Sequence, residues 1–160
     1  MMAYLMDRIN FEDEQSNMEI DELNSKTKEN TEYMTLENNE YKAKIVYIYD
    51  GDTMHVVFKE FGKYYRWNCR IIGVDTPEIR TRNEVEKDMG YKVRDILRQH
   101  FMNKIVKIKC GEFDKYGRLL IDVYIPDHLR DSNLEKEMLS EWLIKNNYAY
   151  AYDGGTKKSW

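Results

Sequence analysis

The chain predicts an α+β, mainly β fold: a five-stranded OB-fold Greek-key barrel with two helices over residues 41–160, preceded by a largely disordered acidic segment over 1–40. Two observations carry this. The hydrophobic period changes in the order β-β-β-α-β-β-α, five short strands with a helix between the third and fourth. The net charge of −4 is also unevenly divided. Residues 1–40 hold 11 acids against three bases, or −8, and the remainder holds 18 acids against 22 bases, or +4.

The acidic segment is rich in Glu, Asn, Ser and Thr and shows no sustained period. It lacks the apolar surface needed to offset its ordering entropy, so disorder is the expectation, with room for a short helix in 3–12. KAKIVYIYD, Lys42 to Asp50, alternates and is rich in β-branched and aromatic residues, so it predicts the first strand. Asp50-Gly51 is a turn pair. Strands follow at Thr53–Lys59 and Tyr64–Val74, with Gly62 between them. Val85, Met89, Val93, Ile96, Leu97 and Phe101 recur at helical spacing and predict a helix over 84–102. Lys104–Gly111 and Arg118–Ile125 return to strand character. Leu134, Met138, Leu139, Trp142 and Leu143 predict a second helix, roughly 133–146.

At 160 residues the chain suits one domain with a core. No run of 18 apolar residues spans a membrane. The start, MMAYLMDRINFEDE, lacks a basic n-region and a continuous apolar stretch, so an intracellular rather than secreted protein is expected. Cys69 and Cys110 sit in strand-like stretches and read as buried free thiols. Two Cys with three scattered His make a structural zinc site a poor expectation.

Three polar clusters stand at strand ends. They are DGDT (Asp50 to Thr53), RIIGVDTPE (Arg70 to Glu78) and DKYGR (Asp114 to Arg118). A solvated turn explains each one alone. Together they place carboxylates and two arginines at the rim of one small barrel, which suits phosphodiester chemistry. Asp52 and Asp75 with a backbone carbonyl can hold a hard cation, Ca²⁺ or Mg²⁺. Pro77 keeps Thr76 extended and fixes where its carbonyl points. Arg70 and Arg118 can fork onto phosphodiester oxygens, and Glu78 can orient or deprotonate a water.

In these three pieces, with IYDGDT at 48–53, the chain resembles the staphylococcal nuclease (thermonuclease) family over roughly Tyr41 to Asp153. The resemblance implies a Ca²⁺-dependent nuclease acting on DNA or RNA and leaving 3′-phosphate ends. It implies Asp52, Asp75 and the Thr76 carbonyl as Ca²⁺ ligands, and Arg70, Glu78 and Arg118 as the catalytic trio. Lys115 and Tyr116 would meet the nucleotide phosphate and sugar, and Tyr150 and Tyr152 would stack on substrate. The chain departs from the family in its acidic N-terminal segment and in ending at Trp160, before the usual third, basic helix. A monomer is expected, with no membrane partner. The acidic segment is a candidate arm for a protein partner or an electrostatic competitor of the substrate. The alternative is a non-catalytic OB module that binds nucleic acid or protein. Decay would strike the metal and arginine positions first, and all five stand here.

Overall fold

The computed structural model describes residues 2–160, with residues 4–9 described as backbone. The chain divides into two compact units at Thr35/Leu36. Before the division lies helix α1, Met2–Asn24. It is longer than the short helix for which 3–12 left room. The physical reason is that the first Gly and Pro of the chain are Gly51 and Pro77, so nothing interrupts a run of good helix formers. The weakness that suggested disorder is visible in another form. Phe11, Met18, Ile20 and Leu23 all remain exposed on α1.

The second unit is a closed barrel of strands β1 (Glu40–Ile48), β2 (Thr53–Glu60), β3 (Lys63–Ile71), β5 (Ile105–Phe113) and β6 (Leu119–Val123). Their order around the barrel is β1-β2-β3-β6-β5. All neighbours are antiparallel except β3 and β6, which run parallel. The mainly β barrel expected from the residue pattern is therefore observed. Alternation along each strand sends Ile45, Val56, Cys69, Ile108 and Ile121 into a fully buried core. Tyr41, Phe58 and Trp67 form a ring stack within it, with centroid separations of 4.2 and 4.8 Å. The β2–β3 turn is the two-residue Phe61-Gly62, both at positive φ, as right-twisted hairpins favour.

The expected strand over 64–74 is broken. β3 ends at Ile71, Gly73 turns at φ +74°, and a short strand β4 (Val74–Asp75) pairs instead with β7 (Tyr150–Ala151). Ile72, expected in a buried strand, is 40% exposed at this turn. Helix α2, Glu84–Phe101, buries Val93, Leu97 and Phe101. Its N-cap Asn83 accepts from Val85 N and Glu86 N at 3.0 and 3.2 Å. Helix α3 is Leu139–Lys145, shorter than the expected 133–146. The stretch before it is not helical because Met138 bridges to Tyr124 and Ile125 N donates to Glu137 O. Both cysteines are free and buried. Burial pushes the Cys110 thiol up to about 11, which keeps it protonated and unreactive.

Candidate active site

The barrel's strand register gathers the three polar clusters. Thr53 on β2 is paired with Arg70 on β3, so the DGDT turn lies at the end of the strand that carries the arginine. The parallel β3–β6 pairing sets Cys69 beside Leu119 and Arg70 beside Leu120. Arg118, just before β6, thus falls opposite Asn68, two positions from Arg70 along β3. Arg70 lies between buried Cys69 and Ile71 and leaves the strand on the opposite face, away from the core.

These elements surround a cleft of about 1230 Å³. Asp52, Arg70, Glu78, Lys115, Tyr116, Arg118 and Tyr152 line it. Asp75 and Tyr150 line a smaller adjacent cavity with Tyr152. Thr76 lies buried behind the rim, 1% exposed. Tyr150 stacks on Trp160, centroids 4.3 Å apart, and its backbone pairs with Asp75. Its ring therefore has a structural neighbour, whereas the Tyr152 ring faces the Arg70 guanidinium at 5.6 Å.

The carboxylate side of the cleft is tightly built. Asp52 Oδ2 accepts from Thr76 N at 3.2 Å and lies 3.5 Å from Arg70 Nη2. Arg70 Nη1 also donates to the Ile71 carbonyl at 3.3 Å, which fixes the guanidinium plane. Asp50 Oδ1 accepts from Thr53 N at 2.9 Å and Asp52 N at 3.2 Å and closes the turn. A Cβ on Gly51 would stand 2.7 Å from Thr76 Cβ, so only glycine lets the two turns touch. Burial, and then the Asp52 charge, push Asp50 up to about 7. Burial also raises Asp75, against the pull of Lys157.

Glu78 is held from below by α2. Its backbone N–H donates to Glu86 Oε1 at 3.2 Å. A Cβ on Gly90 would sit 2.8 Å from the Pro77 carbonyl, so α2 can lie directly against the Thr-Pro turn. The Glu78 side chain is half exposed and accepts from Lys157 Nζ at 2.7 Å. The same ammonium lies 3.2 Å from Asp75 Oδ1, an ion-pair distance without hydrogen-bond alignment. Across the cleft, Arg118 Nε donates to Asp114 Oδ2 at 2.8 Å, and Asp114 Oδ1 accepts from Tyr116 N and Arg118 N. Burial works against the Asp114 charge, but these donors outweigh it and hold the carboxyl below its usual range. Gly117 supplies the φ of +80° that the hairpin requires.

A matching family model, the staphylococcal nuclease homologue, covers residues 68–159. The chain belongs to the staphylococcal nuclease family. Thermonuclease of Staphylococcus hyicus is 33% identical over 115 residues, 70% of this chain and 66% of its own. Thermonuclease of Staphylococcus intermedius is 33% identical over 95 residues, 58% and 54% of the two chains. An uncharacterized endonuclease of Escherichia coli O157:H7 is 26% identical over 111 residues, 69% and 61%. The chain thus spans a little over half to two thirds of the length of these relatives. The staphylococcal nuclease match begins at Asn68 and takes in the second and third clusters, while Asp52 lies before it.

For this family a hard cation is the expected cofactor. Among the described residues no group of three or more His, Cys, Asp or Glu forms a metal cluster. The candidate donors are instead two carboxylates, Asp52 and Asp75, and main-chain oxygen. Their chemistry fits such an ion: Asp75 Oδ1 and Thr76 Oγ1 are buried without hydrogen-bond partners, and the nearest neutralising group is a lysine ammonium. The sequence motifs pointed to the rim but not to its supports. Gly90 inside an amphipathic helix, where glycine costs about 1 kcal/mol, was a readable signal. Glu86 and Lys157 left none.

Proposed function

We propose that this chain is a Ca²⁺-dependent nuclease that hydrolyses phosphodiester bonds of DNA or RNA and leaves 3′-phosphate ends. The observation that carries the reading is the convergence of Arg70, Arg118 and Glu78 on one cleft beside Asp52. Thermonucleases and an endonuclease among the relatives support it.

Asp52, Asp75 and the Thr76 carbonyl would hold the Ca²⁺ ion, which would supply positive charge to a phosphoryl oxygen. Arg70 is braced by Asp52 and the Ile71 carbonyl, so it enters the reaction already oriented. Preorganised donors of this kind stabilise charge as it develops on the pentacoordinate phosphorus. Arg118 brings a second guanidinium from the opposite wall. Glu78, half exposed at the mouth, takes the proton of an attacking water. The water oxygen bonds to phosphorus, the bond to the 5′ oxygen breaks, and that oxygen leaves with a proton from solvent. Lys115 and Tyr116 contact the phosphate and sugar on the 3′ side. Tyr152 offers a stacking face, which is tolerant of base identity, and Tyr150 supports it from the adjacent cavity.

The test is incubation of the purified protein with single-stranded DNA and RNA in Ca²⁺, Mg²⁺ or EGTA, followed by analysis of product ends. Cleavage in Ca²⁺ with 3′-phosphate ends is expected, with much weaker cleavage in Mg²⁺. Full activity in EGTA overturns the cation, 5′-phosphate ends overturn the direction of cleavage, and no cleavage overturns the enzyme.

A further inference from the structure

Beyond the cleft, the outer face of the barrel carries an unusual charge distribution. On β3 the residues that point away from the core are Arg70, Asn68, Arg66 and Tyr64. Asn68 still lines the cleft, while Arg66 and Tyr64 lead away from it toward the β2–β3 hairpin tip. The register sets His55 opposite Asn68, Val57 opposite Arg66 and Lys59 opposite Tyr64. One strand further, Lys44 stands opposite Val57, and Lys42 lies two residues before it on the same face of β1.

Lys42, Lys44, Lys59 and Arg66 are all exposed, and none of them forms an ion pair among the described residues. No carboxylate interrupts the four. The nearest one on this face, Glu40, closes the far edge and is engaged by Lys107 at 2.9 Å. Aromatic surface is interleaved with the cations: Tyr64 is 73% exposed, with Lys59 Nζ 6.0 Å from its ring, and Tyr47 is 42% exposed beside His55. A chain with an overall charge of −4 thus keeps a carboxylate-free stretch of cationic, aromatic and neutral residues running about 20 Å along β3 from the cleft.

We propose that this face is a second nucleic-acid contact surface, which carries the backbone of a single strand from the cleft along β3 toward the hairpin tip. Unpaired cations grouped across β1, β2 and β3 suit neighbouring phosphates, and an exposed tyrosine beside a lysine suits an unstacked base. Continuity with the cleft through Asn68 selects a strand already engaged at Arg70, rather than an unrelated partner. The inference rests on the reading of the cleft as a nucleic-acid site and assigns that site's extended contacts.

The test uses the full chain with Lys44→Gln, Lys59→Gln and Arg66→Gln combined, and separately Tyr64→Ala. Binding of a 20-nucleotide and a 4-nucleotide single strand is measured by fluorescence anisotropy in EDTA across a salt series, with a thermal melt to confirm folding. The triple variant is expected to bind the 20-mer at least about tenfold more weakly at low salt, with a salt slope reduced by about 2. Its affinity for the 4-mer and its turnover of short substrate should be unchanged. Tyr64→Ala should weaken the 20-mer alone, independently of any charge change. Wild-type affinity of both variants for the 20-mer overturns the inference, as does equal loss for both lengths or a loss confined to duplex DNA. If the wild type binds the 20-mer through this face yet cleaves nothing, the inference stands and the nuclease reading fails. If the wild type binds no strand, both fail.

Discussion

The two walls of the cleft are built on opposite principles. On one, Asp50 and Asp52, with Asp75 and Thr76 behind them, are at most 8% exposed, wedged between strand ends and tied by main-chain hydrogen bonds. On the other, Tyr116 is 73% exposed, and Arg118 hangs on a hairpin held by one carboxylate, Asp114. The buried wall has its geometry fixed by the fold and bears the electrostatic strain of carboxylates out of water. The exposed wall carries little strain and can adapt to a strand arriving from solvent. Preorganisation is thus concentrated where charge must be held still, and exposure where substrate must enter.

The sharpest way to probe the strain of the buried wall is Asp50→Asn. Asparagine keeps the oxygen that accepts from Thr53 N and Asp52 N but cannot ionise. The folded Asp50 titrates near 7 instead of 3.8. Below about pH 4 both folded and unfolded chains hold the proton, and the contribution is full. Between 4 and 7 the unfolded chain ionises first, so the wild type loses stability as pH rises. At 1.36 kcal/mol per pH unit the ceiling is about 4 kcal/mol. Urea melts in EDTA should show the variant equal to wild type near pH 4.5 and more stable at pH 8. A stability difference that does not change with pH would place the raised titration elsewhere.

The arginines compare the walls directly. Each is expected to lose at least about 10²-fold in kcat as alanine, the scale of removing one preorganised charge-stabilising donor. They should differ in the melt. Arg70→Ala leaves the buried Asp52 without its cation and lowers Tm, whereas Arg118→Ala leaves Asp114 with two backbone donors and should not. Near wild-type turnover for Arg118→Ala would reduce that residue to hairpin decoration.

This asymmetry also explains what the sequence made readable. The strands could be read because period-two alternation has one cause, burial on one face, and Ile45, Val56 and Ile108 obey it. The rim could be read because Asp52, Arg70, Asp75 and Arg118 fall in three compact motifs. The supports were hidden because they act across long separations. Lys157 reaches Glu78 over 79 positions, and Glu86 meets it only through the packing that Gly90 allows. The broken strand at Ile72 was hidden for another reason: β3 ends before it, and β4 beyond it pairs with β7, a partner at least 75 residues away, which no local pattern announces. The full length of helix α1 was not legible because composition measures the surface a segment can bury, not whether its backbone can close its own hydrogen bonds.

On the exposed wall a smaller effect is expected from Asp114→Ala. Arg118 would lose its only side-chain brace and the hairpin two backbone bonds, without exposing any core. One charged hydrogen bond of this kind is worth about 1.5 kcal/mol, so kcat/KM should fall about tenfold. Asp114→Asn, which retains a backbone acceptor, should recover part of the loss. If neither variant changes kcat/KM, Arg118 is positioned by the substrate alone.

The smallest expected effect joins the two walls through the C-terminal segment. Lys157 Nζ sits between Asp75 and Glu78 and neutralises both from the C-terminal segment. In the proposed reading the cation binds at Asp75, so it competes there with this ammonium for the carboxylate. Each of its two pairs is partly solvent-exposed and contributes on the order of 0.5 kcal/mol. Lys157→Ala should therefore bind Ca²⁺ about fivefold more tightly, since about 1 kcal/mol of competition is removed. Calorimetric titration reads this without any turnover. Asp75→Asn in the same background should abolish the gain, because both the competitor and its target are then gone. Unchanged Ca²⁺ affinity in Lys157→Ala would mean that the lysine does not oppose the ion at Asp75. Weaker affinity would mean that it helps hold Glu78 and Asp75 in place, and the buried wall would then depend on a contact from the C-terminal segment.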